Sequence, residues 1–178
     1  MSAREVVRTY LEMRDPAALR GEPWTAADVR LVRRDPCRPE EYRALYRLVG
    51  ARWAWRDRDD WSDETLAAYL EREDVAVWVV EDAAGAGREP GGFFELARHD
   101  DGSVEIAYFG LAERLFGRRL GAQLLSAAVH EAWAWGAAHV WLHTCTLDAP
   151  AALPNYLARG FTPVRRETYV TQATPARS

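Results

Sequence analysis

The sequence contains no lysine. All 23 of its basic side chains are arginine, set against 27 acidic ones in 178 residues. Isoleucine and asparagine occur once each, as Ile106 and Asn155. These three residue types share AT-rich codons, while alanine, glycine, arginine and proline abound. A GC-rich, bacterial genome therefore accounts for most of the bias. A choice of arginine for bidentate phosphate or carboxylate contacts can hold at one or two positions, not at 23. Cysteine is scarce as well. Cys37 and Cys145 have no metal-ligand spacing, so no metal site is expected, and they are too few for a disulfide framework. No apolar run approaches the roughly 20 residues of a membrane span. The first residues, MSAREVVRTYLEMR, scatter charge through their apolar positions and show no secretory signal. A reduced, cytoplasmic protein without a membrane partner is expected. A net charge of -4 leaves no broadly basic face, which argues against nucleic acid as a partner.

What is present is a well-populated apolar pattern. With 48% hydrophobic and 11% aromatic residues the chain can bury a real core. Residues 4–13 suit a strand or a short helix, and 28–34 alternate as a half-buried strand does. Pro39–Val49 opens on proline and two glutamates and aligns Tyr42, Leu45, Tyr46 and Val49 on one helical face. The segment ARWAWRDRDDWSDE reads as a loop or broken helix, followed by a helix to about Arg72. Strands are expected at 75–80, 93–98 and 104–111, with turns at 83–92 and 99–102, making an antiparallel meander. The longest helix is expected at 117–135, with Gly121, Leu124, Leu125, Ala128, Ala132 and Trp135 on one face. Arg119, Gln123, Ser126 and His130 fall on the other, polar face. A strand at 139–143, a helix at 149–159 capped by Asp148, and a strand at 161–170 complete the order. The expected fold is one α+β domain over 1–178, with its core at 28–170 and a flexible tail at 171–178. Its mixed, mostly antiparallel sheet of about six to seven strands is flanked by helices in three layers.

The chemistry concentrates where the third meander strand meets the long helix. Gly117 and Gly121 let a ligand approach the backbone, a helix N-terminus offers free N–H groups to an anion, and Arg118 and Arg119 add charged donors. The pattern is no P-loop, because the lysine that motif needs is missing. The hairpin-linked strands argue against a dinucleotide fold.

Two quoted stretches carry a family resemblance. Phe116-Gly117-Arg118-Arg119-Leu120-Gly121 is similar to the Q/R-x-x-G-x-G/A phosphate turn of the GNAT superfamily of acetyl-CoA-dependent N-acetyltransferases. It departs from that turn at Phe116 and at Arg119, where glycine is usual. Tyr156-Leu157-Ala158-Arg159-Gly160-Phe161 matches that family's Y-x-x-x-G-F. The resemblance covers about 28–170. It implies acetyl-CoA as co-substrate, its pantetheine arm aligned by the backbone of Tyr108 to Leu111, with Phe109 and Leu111 in contact. A backbone N–H near Leu111 would polarise the thioester. Phe116, Gly117, Arg118, Arg119, Leu120, Gly121 and Ala122 would hold the pyrophosphate. Arg119 would have to take the backbone conformation that glycine usually supplies there. Tyr156 would be the general acid, and Glu105, in an E-I-x-x-F context like that of the histone acetyltransferases, the general base.

Glu95 is a second carboxylate candidate, suited to holding an acceptor's ammonium. His143 could line the acceptor pocket, His130 is expected in solvent, and Cys145 reads as a buried, inert thiol. Trp53, Trp55 and Trp61 suit either core packing or an aromatic acceptor wall for an apolar or cationic amine. The acceptor implied is a small-molecule or peptide amine, and a homodimer is compatible with the reading. The alternatives are an acyl-CoA sensor or interaction domain without catalysis, and a binding protein whose pocket is the tryptophan cluster.

Overall fold

Alternation at the start of the chain resolves as a strand. Thr9, Leu11 and Met13 are buried on one face of β1 (Arg4–Met13), and the half-buried Arg8, Tyr10 and Glu12 alternate with them on the other. The structure, a computed structural model, describes residues 3–83 and 88–171. After β1 come β2 (Val29–Arg34), α1 (Pro39–Gly50), α2 (Asp63–Leu70), β3 (Val75–Asp82), β4 (Glu89–Arg98) and β5 (Val104–Leu111). α3 (Leu120–Ala134), β6 (Val140–Cys145), α4 (Ala152–Arg159) and β7 (Thr162–Thr171) follow. The seven strands form one sheet in the order β2-β3-β4-β5-β6-β1-β7. All neighbours are antiparallel except β5 and β6, which the α3 crossover makes parallel.

Helices cover both faces. On one side Leu120, Leu124, Leu125, Ala128 and Ala132 of α3 pack with Leu11, Phe94, Leu96, Ile106 and Leu142 of the strands. On the other, Tyr42, Leu45, Tyr46 and Val49 of α1 and Leu66 and Leu70 of α2 pack on Val77, Val79 and Phe93. The α1 face is the one that its helical spacing predicts.

Several local readings need correction. β4 begins at Glu89, so Gly91 and Gly92 belong to a strand and not to the turn expected at 83–92; residues 84–87 lie outside the described residues. α3 begins at Leu120, three residues later than its periodicity suggests, because Gly117 to Arg119 form the turn before it. Its expected polar face is half buried. The segment ahead of β2 crosses it: the Glu22 N–H donates to Ser126 Oγ at 2.8 Å and the Thr25 N–H to Gln123 Oε1 at 2.9 Å. Both side chains are buried, while Arg119 and His130 are exposed as expected. Asp148 caps no helix. Its carboxylate accepts from Thr144 Oγ1 and the Cys145 N–H, closing the turn after β6. The expected tail starts one residue early, since Thr171 ends β7; Gln172 onward lies outside the described residues.

The same crossing segment is pinned at Gly160, which ends α4 in a left-handed conformation at φ +105. A Cβ there would stand 2.1 Å from the Ala18 carbonyl oxygen. Gly160→Ala should therefore lower stability by at least about 2 kcal/mol, a loss measurable as a lower urea midpoint at unchanged slope.

Candidate active site

β5 and β6 are paired at only two positions, Val104 with Val140 and Glu105 with Trp141. Beyond them the strands part. The β4–β5 register explains why: Glu95 faces Tyr108 while Leu96 faces Ile106, so Ala107 is an extra residue that bends β5. The parting leaves a cleft of about 750 Å³. One wall is β5 from Ile106 to Leu111, whose backbone on this side has no strand partner. The opposite wall is His143, Cys145, the turn after β6, Asn155 and Tyr156. Trp53 to Asp57, between α1 and α2, close a third side.

The far end of the cleft is the turn 116–119 and the start of α3. Gly117 at φ +76 and Arg119 at φ +60 are both left-handed. Arg119 thus holds, as an arginine, the conformation expected of glycine. α3 has no side-chain cap, so the N–H groups of its first turn stay free beside Leu120, Gly121 and Ala122, which line the cleft. Uncapped N–H groups and the helix dipole fit an anionic phosphate. Asn155 Nδ2 donates to the Gly121 carbonyl at 3.1 Å and ties α4 to this turn. Phe116 and Gly117 also line the cleft. The two arginines divide. Arg119 lines the cleft and reaches Glu22 at 2.8 Å, whereas Arg118 binds both Asp28 oxygens, at 2.7 and 2.8 Å.

Tyr156 stands in the cleft wall, edge-on to Phe109 and Phe161. Burial, helped by Asp148, raises its pKa, so the phenol keeps its proton at neutral pH. Glu105 lines a side cavity of about 360 Å³ on the α1–α2 side of the sheet and is held by His99 Nε2 at 2.9 Å. This cavity and the cleft share Asp57, Ala107, Tyr108 and His143. Burial, then the nearby Arg8 guanidinium, lowers the pKa of His143 below its ordinary 6.5.

Sequence reasoning missed Arg58, the most enclosed cation among the described residues. Its guanidinium lies 4.1 Å from the Trp61 ring centroid and 4.2 Å from that of Tyr69, with Tyr108 and Tyr42 farther round. It bonds Glu95 at 3.0 Å, and Glu95, which is fully buried, also accepts from the Tyr42 hydroxyl at 2.5 Å and from Tyr69. Burial works against the charge of Arg58, but Glu95, Tyr42 and Tyr69 outweigh it and raise its pKa. Of the three tryptophans expected as an acceptor wall, Trp61 is thus covered by the protein's own arginine, whereas Trp53 and Trp55 line the cleft. Glu95 is consumed in the same cluster and is not open to an ammonium. Trp55 packs on Tyr46, Phe93 and Tyr108 as part of the core, and Trp61 belongs to the cage. The dense alternation of Trp and Arg from Ala51 to Trp61 was the signal for that cage. Both thiols are dulled by burial, Cys37 to a pKa of about 12. Among the described residues, no group of three or more His, Cys, Asp or Glu could hold a metal ion. No helix among them is long and apolar enough to cross a membrane.

The sequence model of the acetyltransferase (GNAT) family matches residues 42–161, about two thirds of the chain. The chain belongs to the GNAT acetyltransferase family. The splayed β5–β6 pair and the α3 turn lie inside the matched span. Several solved structures share the GNAT fold. A GCN5-related N-acetyltransferase from Kribbella flavida is 19% identical, with a TM-score of 0.65 over 97% of this chain and 61% of its own. A tandem GNAT protein from the clavulanic acid biosynthesis pathway is 15% identical, with a TM-score of 0.63 over 99% of this chain and 56% of its own. An aminoglycoside acetyltransferase from an uncultured soil metagenomic sample is 15% identical, with a TM-score of 0.61 over 75% of this chain and 88% of its own. This GNAT chain therefore spans little more than half the length of the first two. No curated protein matches it in sequence.

Proposed function

We propose that the protein transfers the acetyl group of acetyl-CoA to a primary amine by direct attack. One observation carries the reading: the cleft joins three things. These are an unpaired β5 edge, an uncapped helix N-terminus and the Tyr156 side chain. Acetyl-CoA supplies an acetyl group already activated as a thioester. The first turn of α3 would hold its pyrophosphate through the amides of Leu120 to Ala122, helped by the turn at Phe116 and Gly117 and by the Arg119 side chain. The edge of β5 around Phe109 would bind an extended amide arm as an added strand. A backbone N–H near Leu111 would draw charge from the carbonyl oxygen. Arg118, tied to Asp28, would act by shaping the turn. Tyr156, kept protonated by burial, would donate to the departing sulfur. The amine's proton would leave into the side cavity, where Glu105 and His143 stand.

The two unpaired cysteines suit a reduced, cytoplasmic setting. The test is release of free thiol from acetyl-CoA across a panel of primary amines, with products confirmed by mass spectrometry. Amine-dependent release is expected. Saturable acetyl-CoA binding without transfer to any amine would make the domain a sensor instead.

A further inference from the structure

We infer that the acceptor amine is held as its ammonium by Asp57 and loses its proton to His143, at the junction of the cleft and the side cavity. This rests on the acetyl-transfer reading above and assigns two roles within it.

The junction is defined by the four residues that line both spaces, Asp57, Ala107, Tyr108 and His143. Only one carboxylate is among them. The others nearby are engaged: Glu95 with Arg58, Glu105 with His99, Asp74 with Arg72, and Asp148 with Thr144 and the Cys145 N–H. Asp57 forms no ion pair among the described residues and accepts one bond, from the Tyr108 hydroxyl at 3.3 Å. A carboxylate with spare acceptor sites at the mouth of a cavity is a place for a cation. The cage behind it is filled by Arg58, so the ammonium stops at Asp57.

His143 is the neutral base at the same junction. The charged and titratable groups near it are Arg8 and Tyr10 from β1, Glu105 and Tyr108 from β5, Asp57 from the α1–α2 loop, Cys145 from β6, Asp148 from the turn after it, and Tyr169 from β7. Burial and Arg8 outweigh the three carboxylates, leaving the imidazole unprotonated at neutral pH. The balance of the reaction then closes. The ammonium gives one proton to His143. The freed nitrogen forms the C–N bond while the C–S bond breaks. Sulfur takes the Tyr156 proton, and the second nitrogen proton restores Tyr156. The imidazolium releases its proton to water through the side cavity.

The experiment is kcat/KM against pH, from about 5 to 10, for benzylamine, phenethylamine and spermidine, in the wild type, His143→Gln and Asp57→Asn. The wild type should show an acid limb below pH 6.5, the ordinary imidazole value, and a plateau up to the amine's own pKa. In His143→Gln only free amine reacts, so activity at pH 7 should fall about 10²-fold and rise tenfold per pH unit toward the amine pKa. A residue that merely packed would lower the whole profile and leave the limb in place. Asp57→Asn should raise the amine KM about tenfold, with kcat and the acetyl-CoA KM little changed. A wild-type limb in the carboxylate range, or an unshifted limb in His143→Gln, would overturn the assignment of the base. An unchanged amine KM in Asp57→Asn would overturn the anchor. Wild-type enzyme that acetylates no amine would sink the acetyl-transfer reading itself, and this assignment with it. Should a variant fail to fold, the position of the wild-type limb still decides.

Discussion

Arg58→Met should destabilise the fold by about 3–5 kcal/mol, seen as a lower urea midpoint. The substitution keeps apolar volume in the cage of Trp61 and Tyr69 but leaves Glu95, at 0% exposure, without its cation. A buried carboxylate stripped of its partner costs far more than the pair contributes when intact. The two tyrosine hydroxyls that bond Glu95 remain, yet they supply no charge. The second half of the test separates charge from packing. In Arg58→Met with Glu95→Leu the stranded carboxylate is gone, and most of the lost stability should return. A single variant as stable as the wild type would show that Arg58 is a surface side chain in solution and that the cage is open. Because the cage borders the junction at Tyr108, that outcome would also reopen it as a seat for a cationic acceptor.

Tyr156→Phe should lower kcat about 10²-fold while leaving the acetyl-CoA KM within a few-fold. The ring stays, and with it the edge contacts to Phe109 and Phe161, so binding and packing survive. Only the O–H is lost, and with it the proton for the leaving sulfur. The urea midpoint should hardly move. Steady-state thiol release and one denaturation curve check both statements. Near-native turnover would remove Tyr156 from the reaction and return it to the role of a packing residue.

The parts of this protein that its sequence made legible are those decided locally. The α1 face at Tyr42, Leu45, Tyr46 and Val49, the β3–β4–β5 meander and the Gly160 stop each depend on a few adjacent residues. Arg119 is a special case. Its left-handed backbone was legible only through the resemblance to the GNAT phosphate turn, which has glycine at that place, since its own side chain disfavours that conformation. What stayed hidden depends on distant partners. Nothing in residues 4–13 says that they will lie between β6 and β7, since strand pairing across the whole chain leaves no local periodicity. The polar stripe of α3 looked solvated because the segment that covers Gln123 and Ser126 lies about a hundred positions earlier. Arg58 and Glu95 are 37 residues apart, and nothing local to either one points to the other. The same holds for the junction. Asp57 comes from a loop and His143 from β6, and only the parting of β5 from β6 brings them to one cavity.

The central claim is that the cleft between β5 and β6 is built for acetyl-CoA. Isothermal calorimetry of the whole protein with acetyl-CoA tests it most directly. The account predicts saturable one-to-one binding in the micromolar range, competed by free CoA. The absence of heat at about 1 mM acetyl-CoA, from protein shown to be folded, would contradict it.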